Sequence, residues 1–212
     1  MPELVNLSLH DFTASLASQE PAPGGGSASA AAGAAGAALL EMVLRLTEGK
    51  EKYAAVWPEL SAFRPRLEEA RWKLLELVDE DTRAYDAIVA ARKLPKATPE
   101  EKDARQKALD AATIVATTVP MQTAFFAHQA LAAAPAILEK GNPNTASDAF
   151  VAALLLSSAV DGALANVRIN LPGIKDAEIA TGYREDADEL QKKAVALLES
   201  VRTLARKKEL LK

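Results

Sequence analysis

Cysteine is absent from the 212-residue chain, which excludes disulfides, thiolate metal sites and a thiol nucleophile and suits a cytoplasmic setting. Histidine is nearly absent: His10 and His128 are the only two, and no HExxH pair occurs, so a metal enzyme is not expected. Aromatic residues make up 5% of the chain and β-branched runs are few, which argues for helices over sheets. The net charge is −4, and no basic face with interleaved aromatics is present, so nucleic acid is not an expected partner. No stretch reads as a signal peptide or a long Leu/Ile-rich span, so a soluble chain without a membrane role is expected. What remains is alanine-rich and 49% hydrophobic, enough for a sizeable core. The expectation is one all-α domain over residues 1–212.

The chain is organised around residues 21–47, PAPGGGSASAAAGAAGAALLEMVLRLT. Gly24, Gly25 and Gly26, followed by Ser27, open a helix that has almost no side chains before Glu41. Glycines expose backbone N–H groups, so a glycine turn at a helix start can hold an anion or a planar polar ligand. A helix of small residues lets its neighbours approach closely or leaves room for something bound. Two plainer readings stay open: an interior helix without a ligand, or a membrane span, since Gly24–Leu40 carries no charge. A nucleotide loop is excluded, because no Gly-Lys-Ser/Thr follows the glycines and no strand precedes them.

Elsewhere the punctuation is helical. Ser8 reads as an N-cap with Asp11 as its capping acid, and His10 falls on the surface of that first turn. Gly49 marks a helix end. A helix from about Pro58 to Arg92, kinked or restarted at Pro65, puts Leu74, Leu77, Asp81, Tyr85 and Ile88 on one stripe. Asp81 therefore stands on an apolar face, as a site carboxylate or a buried structural hydrogen bond. Asp79, Glu80 and Asp86 point elsewhere and read as solvated.

Thr98, Pro99 and Glu101 open the next helix with a capping box. Its stripe is Val115, Val119, Gln122 and Phe126, bent near Pro120, with Gln122 a polar partner for a ligand amide and His128 packing on another face. The following helix aligns Asp148, Ala152, Leu155, Ala159, Gly162, Asn166 and Asn170. Asp148 and Asn166 lie roughly 27 Å apart on it, so they serve two ends of a long ligand or meet across two subunits. Asp148 equally fits a helix N-terminal carboxylate favoured by the dipole. Asp176 caps a last helix rich in terminal cations. Five substantial helices and a short first one make an antiparallel bundle of five to six helices.

In order along the chain stand PAPGGGSASA, LTEGKEKY, DEDTRAYDAIVAARKLPKATPEEK, VP, KGNPNTASD and NVRINLPGIKD. Together they resemble the cyclodeaminase/cyclohydrolase family, from about residue 8 to 205. That family includes the cyclodeaminase domain of formimidoyltransferase-cyclodeaminase and the stand-alone methenyltetrahydrofolate cyclohydrolases. The resemblance implies a helical homodimer acting on a tetrahydrofolate derivative without metal or other cofactor. Hydrolysis of 5,10-methenyltetrahydrofolate to 10-formyltetrahydrofolate is the favoured expectation, because no separate formimidoyltransferase domain accompanies these residues. The alternatives are cyclodeaminase activity releasing ammonia, and a non-catalytic folate-binding or scaffold dimer. On this resemblance Asp81 is the acid/base and Asp148 a second carboxylate. Asn166, Asn170 and Gln122 face the pterin, and Gly24, Gly25, Gly26 and Ser27 line the mouth. Tyr85 adds a hydroxyl where Phe is more usual, and Arg168 or Lys175 meets the glutamate tail.

Overall fold

A computed structural model describes residues 3–211. Helix α1 (Leu9–Leu16) is followed by α2 (Gly25–Thr47), α3 (Trp57–Ser61), α4 (Arg64–Arg92) and α5 (Pro99–Leu131). Then come α6 (Ala134–Lys140), α7 (Ala146–Asn170) and α8 (Ala177–Lys207), with short 3-10 turns between some of them. No strand occurs among the described residues.

The caps behave as their chemistry requires. The Asp11 amide donates to Ser8 Oγ at 3.1 Å, and Ser8 Oγ donates to the Asp11 carboxylate at 2.6 Å. Thr98 and Glu101 form a reciprocal capping box ahead of Pro99. Asp176 accepts from the Glu178 and Ile179 amides at the start of α8. Gly49 takes a φ of +73° one residue beyond the cap of α2, a left-handed position that favours glycine.

Residue pairs give the register. Ser27 meets Asp81 and Glu41 meets Arg71, so α2 and α4 run antiparallel. A Cβ at Gly33 would lie 3.2 Å from Ala159, and one at Gly36 3.0 Å from the Ala152 carbonyl, so α2 and α7 are also antiparallel and nearly touch at the backbone. Asn170 reaches the Ala116 carbonyl, placing α5 beside α7. Helices α2, α4, α5 and α7 thus close a four-membered antiparallel bundle. Helix α8 lies against α7 through the Arg168–Asp188 pair. Leu40, Leu44, Leu74, Leu156 and Leu164 are almost wholly buried in the centre, each worth about 1.5–3 kcal/mol of apolar burial.

Of the two outcomes expected at Pro65, the restart is the one found: α3 ends at Ser61 and α4 opens at Arg64, with Pro65 in the first turn, where its missing N–H leaves no helical bond unmade. Other expectations are corrected. Helix α5 ends at Leu131, and Pro135 opens the separate α6. The stripe expected on α5 holds in part: Val119 is buried and Phe126 packs on the core, while its other two members do neither. Val115 is 49% exposed and Gln122 is exposed, whereas Ala112, Ala116, Thr117, Thr123 and Ala124 face inward. Close helix approach selects small side chains for the core face and leaves larger ones outside. Asp79 is not a free surface acid: it accepts from the Leu4 and Val5 amides at 2.6 and 3.3 Å and ties the N-terminal segment to α4.

Helix α2 and the Pro143–Gly173 stretch are each long and apolar enough to cross a membrane. Here they pack on one another inside the bundle, with 56% and 50% of their most apolar windows buried. The charge that ends the apolar run of α2, Glu41, is 5% exposed and accepts from Arg71 Nε at 2.6 Å and Arg45 at 3.2 Å.

Candidate active site

The N-terminus of α2, the middle of α4 and α5 and the C-terminal end of α7 converge on a cleft of about 310 Å³. Gly24 to Gly26, Asp81, Tyr85, Asn166 and Asn170 all line it. Ala84, Ile88 and Ile169 supply apolar walls. The volume is at the lower end of the range for small-molecule sites, so a fused ring would fit while a long tail would emerge.

Asp81 is the organising group. Its Oδ2 accepts from the Ser27 amide at 2.9 Å and from Ser27 Oγ at 3.1 Å. A side chain from α4 therefore caps the first turn of α2, where the N-cap Gly24 has none to offer. Gly26 makes the approach possible: a Cβ there would stand 2.5 Å from the carboxylate carbon and 2.7 Å from Oδ2, and closer still to Oδ1. Burial pushes the Asp81 carboxyl above its ordinary value, while the Ser27 hydroxyl and amide pull it back.

The two asparagines are oriented by the backbone. Asn166 Nδ2 donates to the Gly162 carbonyl at 2.8 Å, and Asn170 Nδ2 to the Ala116 carbonyl at 2.7 Å. A carbonyl partner admits only the NH₂ end, so each amide keeps its Oδ1 as an acceptor for a ligand. The cleft thus offers one carboxylate and two asparagine amides, each with an oxygen to accept and one further N–H to donate. Tyr85 adds a side chain that can donate or accept.

Other sequence candidates lie elsewhere. Ser27 is fully buried beneath Asp81 and does not line the mouth. Gln122 faces a separate groove between α5 and α8, beside Phe125 and His128. His128 is half-buried there, and burial with the nearby Lys193 lowers its pKa. Arg168 is engaged by Asp188 at 2.9 Å and Gln191 at 2.7 Å, and Lys175 by Asp110 at 3.2 Å. Neither cation lines the cleft. Asp148 occupies the first turn of α7, at the opposite end from Asn166, and does not line the cleft of its own chain. The contributions not foreseen are the Ala116 carbonyl and the Ile169 and Ala84 walls. Small residues and main-chain groups leave no chemical mark in a sequence.

Residues 8–189 match the family model described as formiminotransferase-cyclodeaminase. Over 196 residues the chain is 37% identical to a methenyltetrahydrofolate cyclohydrolase from Methylorubrum extorquens, covering 92% of this chain and 94% of that one. It is 39% identical over 173 residues to the formimidoyltransferase-cyclodeaminase of Rattus norvegicus, covering 82% of this chain and only 32% of that longer protein. The crystal structure of a formiminotetrahydrofolate cyclodeaminase from Thermotoga maritima superposes with a TM-score of 0.84 at 31% identity, covering 95% of this chain and 97% of that one.

Proposed function

The chain belongs to the formiminotransferase-cyclodeaminase family, and within it we propose a folate one-carbon enzyme that hydrolyses 5,10-methenyltetrahydrofolate to 10-formyltetrahydrofolate. The observation that carries this reading is the partly buried Asp81 carboxylate, which lines a cleft together with the two fixed asparagines. The likeness to a cyclohydrolase along nearly its whole length supports it.

The reactive carbon of the substrate bridges two nitrogens in a cationic amidinium. Asp81 stabilises that charge and takes a proton from the attacking water. The C–O bond forms, and the resulting carbinolamine holds one hydroxyl on the former bridge carbon. Breaking the bond to N5 then needs a proton on N5, which Asp81 returns. The hydroxyl proton leaves as the formyl carbonyl forms on N10. Asn166 Oδ1 and Asn170 Oδ1 accept from pterin N–H groups, and the helix start at Gly25 and Gly26 borders the mouth. The reaction calls on no metal, nicotinamide or thiol. A cytoplasmic location belongs to the proposal. Arg168 or Lys175 meeting the glutamate tail stays part of the proposal, since exposed pairs such as theirs with Asp188 and Asp110 exchange readily.

A second reading, formimidoyltetrahydrofolate cyclodeaminase, is favoured by one observation: burial raises the Asp81 pKa, which helps the carboxyl hold the proton that departing ammonia requires. It also fits the Thermotoga maritima likeness. A homodimer belongs to the proposal, with Asp148 of one copy approaching the cleft of the other. A monomer by analytical ultracentrifugation would remove Asp148 from the site.

Loss of methenyltetrahydrofolate absorbance tests the reading. Turnover well above background and its collapse in Asp81→Asn are expected. Ammonia release from formimidoyltetrahydrofolate with no hydrolysis would transfer the assignment to the cyclodeaminase. Inertness toward both, with folate binding kept in Asp81→Asn, would leave a binding protein.

A further inference from the structure

The two oxygens of Asp81 are not equivalent, and we propose that Ser27 is a positioning residue that assigns them separate tasks, Oδ2 anchored and Oδ1 carrying the proton. This rests on the assignment of Asp81 as acid/base. Both Ser27 donors converge on Oδ2, the amide at 2.9 Å and the hydroxyl at 3.1 Å. Among the described residues no protein donor reaches Oδ1, although Asp81 lines the cleft. An oxygen that already accepts two hydrogen bonds is the poorer place for a proton, so the proton resides on Oδ1. The carboxyl therefore meets substrate with one defined oxygen.

Ser27 is suited to this as few residues are. It is wholly buried, so water does not compete for its hydroxyl. It stands in the first turn of α2, where its amide has no helical carbonyl to bond. Thr82 Oγ1 lies 3.4 Å from Ser27 Oγ, a neighbour that restricts the hydroxyl without touching the carboxylate. Gly26 completes the arrangement by leaving the space beside Oδ1 empty of side chain.

The consequence is a tuned acid limb in the pH dependence. Ser27→Ala keeps the amide bond and a good helix former but removes the hydroxyl that favours the ionised carboxylate. The group then loses its proton only at higher pH. The kcat/KM of the variant on the acid limb is expected to fall roughly tenfold, with near-normal rates on the plateau. Ser29→Ala is the matched control: Ser29 is a second buried serine on α2 whose hydroxyl donates to the Gly25 carbonyl and not to Asp81. Its acid limb should stay in place.

A second readout does not depend on turnover. With ¹³C-labelled aspartate, the Asp81 carboxyl resonance, assigned by its loss in Asp81→Asn, should titrate at higher pH in Ser27→Ala than in the wild type. An unshifted resonance would overturn the inference whatever the activity. If the resonance shifts but neither folate is turned over, the assignment of Asp81 as acid/base fails while the anchoring by Ser27 stands. Equal acid-limb shifts in Ser27→Ala and Ser29→Ala would reduce Ser27 to a packing role and refute the inference.

Discussion

Substituting Gly26 by alanine asks the smallest possible change to displace the largest functional group in the cleft. Ordinary contact begins at 3.4 Å, and the new Cβ would stand 2.7 Å from Asp81 Oδ2, so the carboxylate must retreat by about 0.7 Å or more. The helix cannot yield instead, because a few residues on it is held backbone-close to α7 at Gly33 and Gly36. Misplacing a reacting group by about 1 Å lowers the rate on the order of 100-fold. Stability falls less. The two Ser27 bonds are charge-assisted and worth about 1.5–3 kcal/mol each at most, reduced where water reaches the carboxylate. Alanine in place of glycine returns up to about 1 kcal/mol of helix propensity. A net loss of about 1–2 kcal/mol and a Tm lower by about 5 °C are expected. Steady-state kinetics and a thermal melt measure both. Gly182→Ala is the control, since nothing lies within 4 Å of its Cβ position on α8: activity unchanged and Tm slightly higher. A Gly26→Ala enzyme within about threefold of wild type, under 1 kcal/mol in the barrier, would refute the claim that Asp81 must stand where it does.

Three further outcomes can be checked. Because burial raises the folded pKa of Asp81, its ionised form opposes folding: the contribution to stability is fully present below about pH 4 and is lost as pH rises through the folded pKa. Asp81→Asn should therefore melt higher than wild type at pH 7, and the difference should vanish in melts below about pH 4. Arg71→Ala leaves Glu41 buried with Arg45 as its remaining partner and should lose about 2 kcal/mol by urea denaturation; Arg71→Lys should recover part of it. Asn170→Leu removes both the acceptor to the ligand and the bond to the Ala116 carbonyl, and should raise KM about tenfold with the fold retained by circular dichroism.

Local chemistry was the part of this chain most open to reading. Caps at Ser8, Thr98 and Asp176 act within three residues of themselves, so their sequence neighbours suffice to identify them. Asp81 betrayed itself as a charge at an apolar register on α4, and the glycine string as a turn that opens a helix; both line the cleft. Gln122 stands away from the cleft because the stripe it was read on is only partly inward, the core face of α5 being mostly alanine and threonine. The pairing of Arg168 and of Lys175 was hidden for another reason. Their partners, Asp188 and Asp110, belong to other helices, and nothing near either cation in sequence announces them. Ser27 was located but its part was not, since the direction of a hydroxyl depends on which helix arrives opposite.

The glycine seam between α2 and α7 carries a consequence for how this cleft can change. At Gly33 and Gly36 the α2 backbone lies directly against Ala159, Leu156 and the Ala152 carbonyl of α7, so each helix behaves as a ruled edge against the other. The mouth glycines stand at one end of the first edge and the asparagines at the end of the second. A methyl group inserted halfway along, at Gly36, would tilt one edge against the other and swing Asn166 relative to Asp81 without touching any bound molecule. The seam is thus a lever with its handle buried far from the cleft. The shape of the cleft depends on residues that do not line it.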